Sequence, residues 1–161
     1  MSGLTVELDA SRIMAKLNAM PAGVRGAVVK KTTELRLRLE ALVKRKLSGD
    51  VLNVRTGRLR RSIFSDQTET VTKVEGRVAQ SADVPYGRIH EFGGKTAAHD
   101  IYPVKGEVLA FVMGGKTAFA KVVRHPGSAM PERSFMRSSL KDMTEEIVSG
   151  YKSAVHEQVK R

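Results

Sequence analysis

Apolar residues recur at helical spacing in two long stretches of this chain and alternate with polar ones over much of the ground between. After Pro21, the residues Val24, Val28, Leu35, Leu39, Leu42, Val43 and Leu47 share one stripe, while Arg36, Arg38, Glu40 and Lys44 lie off it. That spacing predicts a long amphipathic helix, ended by Leu47-Ser48-Gly49 with Gly49 as a left-handed cap. Glu34 with Arg38 and Glu40 with Lys44 stand in the favourable acid-first order, four residues apart. Thr32 and Thr33 interrupt the stripe, which admits a bend without ending the helix. Toward the carboxy terminus, Met136, Leu140, Met143, Ile147, Tyr151 and Ala154 repeat the helical spacing, and Pro131-Glu132 suits the first turn of that second helix.

Shorter patterns fill the remainder. Leu4 to Leu8 alternates as a half-buried strand does, and Asp9 is placed to cap a short helix from about Ser11 to Ala19. Thr56 is expected to cap a short helix whose Leu59 and Ile63 face inward and whose Arg58, Arg60 and Arg61 face out. Ile63 to Val71 and Val74 to Ala79 predict two antiparallel strands that turn near Thr72-Lys73. Pro85 starts a short helical piece with Tyr86, Ile89 and Phe92 inward, and Gly93-Gly94 stops it. Lys95 to Asp100 reads as a mobile polar loop, and His125 to Met130 as a connector. Between them Ile101 to Val104, Val108 to Met113 and Phe119 to Arg124 have strand composition, with a hairpin at Gly114-Gly115-Lys116. Leu109, Phe111 and Met113 would share a face, with Phe119 and Val123 opposite. Together these elements predict an α+β fold: a small antiparallel sheet packed against a long helix in the amino-terminal half and an amphipathic carboxy-terminal helix.

The 161 residues fit a single domain, 1–161. With 41% hydrophobic and only 5% aromatic residues, its core must be aliphatic and modest, so burial between subunits is a natural supplement. No cysteine is present, which excludes disulfides and thiolate chemistry. No leader-like segment and no run of apolar residues long enough to span a bilayer occurs, so no membrane role is expected. Charge is unevenly spread. From Arg25 to Arg61 twelve Lys or Arg face three carboxylates, Glu34, Glu40 and Asp50, leaving +9 of the chain's +11 in residues 25–61. Such a segment suits an acidic partner, and sequence-independent contact with a nucleic-acid backbone is the alternative function it suggests. Base readout lacks the motifs and interleaved aromatics it needs.

Catalytic chemistry finds little purchase. His90-Glu91 pairs an imidazole with a carboxylate but lacks HExxH spacing, and His99, His125 and His156 are scattered. Ser62, Ser134, Ser138 and Ser139 lie in no nucleophile elbow, and Gly93-Gly94 and Gly114-Gly115 lack a phosphate-loop context. No catalytic residue, metal ligand or cofactor is nominated.

Three islands stand in a particular order: Thr56-Gly57-Arg58-Leu59-Arg60-Arg61-Ser62-Ile63, then Tyr86 to Gly94, then His125-Pro126-Gly127 followed by Arg133-Ser134-Phe135-Met136-Arg137. That order resembles the tail-completion and head-tail joining proteins of tailed bacteriophages, the group that includes the minor tail protein Z of lambda-like phages. There a TGxLRxSI-like turn precedes a YxxxxEFG-like turn and a PFxR-like helix start. Here Arg133-Ser134-Phe135-Met136 replaces the commoner RPFL-like string. The resemblance implies a structural virion subunit and not an enzyme, located in the neck or tail and assembled in the host bacterial cytoplasm. It implies a homo-oligomeric ring that joins or completes the tail, touches neighbouring neck and tail proteins and lets genomic DNA pass. By the same resemblance Gly57 allows a tight turn, Leu59 and Ile63 anchor the basic helix, and Tyr86, Phe92 and Gly93 fix the next corner. Phe135 plugs the root of the last helix, and Arg58, Arg60, Arg61 and Arg137 lie at subunit or DNA contacts.

Overall fold

Two long helices and the inner face of one sheet supply most of the buried apolar surface. The computed structural model describes residues 5–9 and 22–160, with side chains from residue 23 onward; the expected helix at Ser11 to Ala19 lies outside them. Helix α1 spans Ala22–Arg45, and Val24, Val28, Leu35, Leu39, Val43 and Leu47 of its stripe are all buried. It leaves through a wide turn, Lys46–Asp50, in which the N–H groups of Val51 and Leu52 both donate to the Lys46 carbonyl. Gly49 ends it at φ 135°, outside the compact left-handed cap that the sequence suggested.

Helix α1 does not break at its threonines. Thr32 is fully buried, and its hydroxyl donates to the Val28 carbonyl at 2.9 Å, so the Tyr151 hydroxyl, 2.8 Å away, is left to donate to Thr32. Tyr151 belongs to α4 (Met136–Val159), the carboxy-terminal helix, whose Met136, Met143, Ile147, Tyr151 and Ala154 face α1 and the sheet. Burial raises the pKa of the Tyr151 phenol despite its bond to Thr32, which keeps it a neutral donor. Ion pairs flank this seam: Lys46 meets Asp142 at 2.6 Å and Arg38 meets Glu146 at 2.5 Å.

The sheet is antiparallel with order β1-β3-β2, formed by Thr5–Asp9, Val74–Gln80 and Ile63–Glu69. Val74, Gly76 and Val78 face α1 from β3. The inner positions of β2 are polar because α1 offers them partners: Thr33 donates to Gln67 at 2.9 Å, and Ser65 bridges Arg36 and Glu40. Between β2 and β3 the Thr70 N–H closes the turn on the Lys73 carbonyl at 2.8 Å.

Several expectations need correction. The basic helix α2 is a single turn, Arg58–Arg61, opening at Gly57 with φ 71°, and Ile63 is instead the first residue of β2, though fully buried. In α3, Gly87–Phe92, the buried positions are Gly87 and Glu91 and Ile89 is half-buried, whereas Tyr86 and Phe92 are exposed. Helix α4 starts at Met136, not at Pro131, because the preceding backbone is committed elsewhere: the Arg133 N–H donates to the His90 carbonyl at 2.7 Å, and Ala129–Met130 (β9) pairs with Gly94–Lys95 (β4).

The greatest departure lies between α3 and α4. Lys95 to Asp100 is not a free loop, since His99–Ile101 (β5) pairs with Val123–His125 (β8). Beyond that pair a hairpin of Leu109–Met113 (β6) and Lys116–Ala120 (β7) turns at Gly114-Gly115, both with positive φ as a two-residue hairpin demands. Phe119 pairs with Ala110 and so sits on the opposite face from Leu109, Phe111 and Met113. From Phe92 to Ser134 no side chain is buried. This arm carries its own pairing but contributes nothing to the core.

Replacing Tyr151 by Phe removes one donor while Thr32 keeps its bond to Val28. The expected loss is about 1 kcal/mol in urea unfolding, with the fold retained; an unchanged midpoint would show that the hydroxyl contributes nothing to the helix seam.

Candidate functional site

Glu91 is a carboxylate with no solvent exposure, lodged under the start of α4. It accepts hydrogen bonds from the backbone N–H groups of Phe135, Met136 and Arg137 at 2.7, 2.9 and 3.0 Å, from the Ser134 hydroxyl at 2.7 Å and from Arg137 Nε at 3.2 Å. The three N–H groups are donors that the first turn of a helix leaves without partners, and the helix dipole also favours negative charge there. A residue more than forty positions upstream therefore caps α4. Burial alone would raise the Glu91 pKa, but the bonds from Met136, Arg137, Ser134 and Phe135 outweigh it and hold the carboxyl below its ordinary range. With its lone pairs so occupied, the carboxylate is not placed to take a proton from a substrate.

Arg137 completes the corner. Its guanidinium also donates to the Glu91 carbonyl at 2.9 Å and to Glu132 at 2.7 Å, and lies 4.5 Å from the centre of the Phe92 ring. Gly93 turns the chain at φ 68°, where a Cβ would come 2.9 Å from the Glu132 nitrogen, so only glycine fits. Phe135 is fully buried beside this cap. Glu91, Phe92, Gly93, Phe135 and Arg137 thus form one structural cluster joining two of the three sequence islands.

The first island lines an open groove of about 680 Å³. Leu47 and Leu52, both buried, with Val51, Val54 and Leu59 give it an apolar lining. The exposed Arg55, Arg58, Arg60 and Arg133 also line it, together with Tyr86, His90 and Met130. His90 Nδ1 is buried with no hydrogen-bond partner, and burial followed by the nearby Arg133 lowers the imidazole's pKa, which favours the neutral ring at neutral pH. Arg58 and Arg60 therefore come together in the groove. Arg61 lies outside it against Gly57, and Arg137 belongs to the Glu91 cluster.

Folding also divides the basic segment. On α1 and its exit turn Lys31, Arg38, Lys44, Arg45 and Lys46 each meet a carboxylate, whereas of the groove arginines only Arg58 has an acidic neighbour, Asp83 at 3.7 Å. Arg55, Arg60 and Arg61, with Arg133, thus have no ion-pair partner among the described residues. Among the described residues no group of three or more His, Cys, Asp or Glu is arranged to hold a metal ion, and no helix is long and apolar enough to cross a membrane. No family model matches the chain, and neither does any curated protein or solved structure. The phage resemblance rests on the three motifs alone.

Sequence reasoning weighed Glu91 beside His90 as proton-handling chemistry and did not identify it as the helix cap. The detectable signal was a carboxylate on a short helix followed, much later, by Ser134-Phe135-Met136 without an acidic cap of its own. Glu91→Gln keeps the shape but sets an amide N–H₂ against N–H donors, and is expected to cost about 2–4 kcal/mol at neutral pH. Because the folded-state pKa is depressed, this contribution is present above the unfolded value of about 4.3 and fades as pH falls through the lower folded value. Urea unfolding of both proteins across that range should show the gap closing in acid; a gap independent of pH would contradict the charge-based account.

Proposed function

We propose that the chain is a structural subunit of a tailed-bacteriophage virion, assembling with copies of itself into a ring at the head-tail junction or tail end. The observation that carries this reading is the arm. Val112, Met113 and Phe119 are 75, 69 and 67% exposed on the β6–β7 hairpin, which no part of the core covers, and Val104 is 96% exposed in the segment before it. Exposed apolar groups on both faces of a two-stranded hairpin with free edges favour association with another chain. Repetition of one heterologous contact closes a ring when its rotation divides a full turn. The ordered motifs support the same reading and add the neck or tail as its place, with neighbouring neck and tail proteins as further contacts. The work is geometric: a rigid two-helix and sheet body holds the arm, and the arm joins subunits around an opening for DNA.

A free-standing nucleic-acid module built on residues 25–61 is less well supported, because Glu146, Asp142 and Asp83 from elsewhere in the chain meet Arg38, Lys46 and Arg58 of that segment.

Light scattering of the purified protein should show discrete oligomers at high concentration. Val112→Ser with Phe119→Ser, at exposed sites, should return it to monomer with unchanged circular dichroism. Monomers only in the parent protein, or oligomers indifferent to both substitutions, would refute the arm as the joint.

A further inference from the structure

The groove below α2 is a second exposed surface, and it is chemically unlike the arm. Its lining is apolar and polar in nearly equal parts, Val54 at 48% and Tyr86 at 40% exposure standing beside Arg55, Arg58, Arg60 and Arg133, with one weakly paired acid near Arg58. A ligand that is only anionic would leave the apolar lining wet. One that is only apolar would bury arginines without partners, which is costly. The arm of a second copy is a poor occupant, since Lys105, Lys116, Lys121 and Arg124 give it the same sign of charge as the groove.

We infer that this groove is the docking site for an acidic, apolar-anchored segment of a different protein, its carboxylates meeting Arg55, Arg60 and Arg133 and its apolar side chains covering Val54 and Leu59. Arg60 and Arg133 line the groove, are exposed and have no ion-pair partner among the described residues. Planar guanidinium groups suit carboxylates through paired hydrogen bonds. Backbone contact with a nucleic acid would use the arginines but not the lining, because a phosphate chain offers no apolar side chains to it. The inference rests on the groove alone, so it stands or falls separately from ring assembly.

The test is fluorescence anisotropy of the full chain with three labelled probes: a short peptide alternating Leu and Glu, its counterpart alternating Ser and Glu, and an oligothymidylate of matched charge. The Leu peptide should bind at least about tenfold tighter than the Ser peptide. Arg60→Glu with Arg133→Glu should weaken it by at least about tenfold, and Val54→Ser should narrow the difference between peptides, with oligomeric state unchanged in both variants. No binding of the Leu peptide, equal binding of the two peptides, tighter binding of the oligothymidylate, or indifference to the arginine reversals would overturn the inference.

Discussion

A single buried carboxylate ties the architecture together. Glu91 takes up the unpaired donors at the start of α4, and Arg137 of that helix reaches back to Glu91, Glu132 and the Phe92 ring. The contact fixes where the last helix begins and in which direction it leaves, and so places the Met143, Ile147 and Tyr151 face against α1. It also pins α3 to α4, the two points between which the arm departs and returns. Without that cap, a negative charge in the core would be unpaired and the helix start would lose its donors' partners, two costs that add in the same direction.

The molecule thereby separates two tasks. Its body combines an aliphatic core with polar links that are satisfied internally: Tyr151 with Thr32, Ser65 with Glu40, and Arg77 with Asp66 across β3 and β2. Its arm buries no side chain, is paired strand to strand beyond its roots at Phe92, Glu132 and Ser134, and carries apolar side chains into water. Burial of such side chains is favourable by roughly 25 cal/mol per Å², and the core makes no use of these, so the proposed association would draw on them. Part of the positive charge lies on neither, since Arg55, Arg60 and Arg61 beside α2 meet no carboxylate while Lys31, Arg38, Lys44 and Arg45 of α1 do.

Periodic features were legible in the sequence. The stripes of α1 and α4, the β2–β3 pair and the Gly114-Gly115 turn all follow from spacing and turn chemistry, because each is decided by neighbours a few residues away. Features decided by distant partners were not. Thr32 looked like an interruption until Tyr151 supplied its contact, and Phe92 looked like an inward anchor where Glu91 takes that place. The start of α4 was misjudged because β4–β9 pairing and the His90 carbonyl claim the backbone before it. Of the candidate site, the basic cluster was visible, but its division into neutralised helix cations and free groove arginines depends on which carboxylates the fold brings near. The exposure of the arm was invisible for the same reason: its strands have ordinary apolar composition, and only the packing shows that nothing covers them.

On the proposed reading, the β6–β7 hairpin of the arm meets another copy of the chain while the body stays as it is. Hydrogen–deuterium exchange measured at low and at high protein concentration tests this segment by segment. Amides of β6 and β7 should become protected as concentration rises, while those of α1 and α4 exchange at an unchanged rate. Exchange in the hairpin that is the same at both concentrations, or protection that appears in the helices instead, would contradict it.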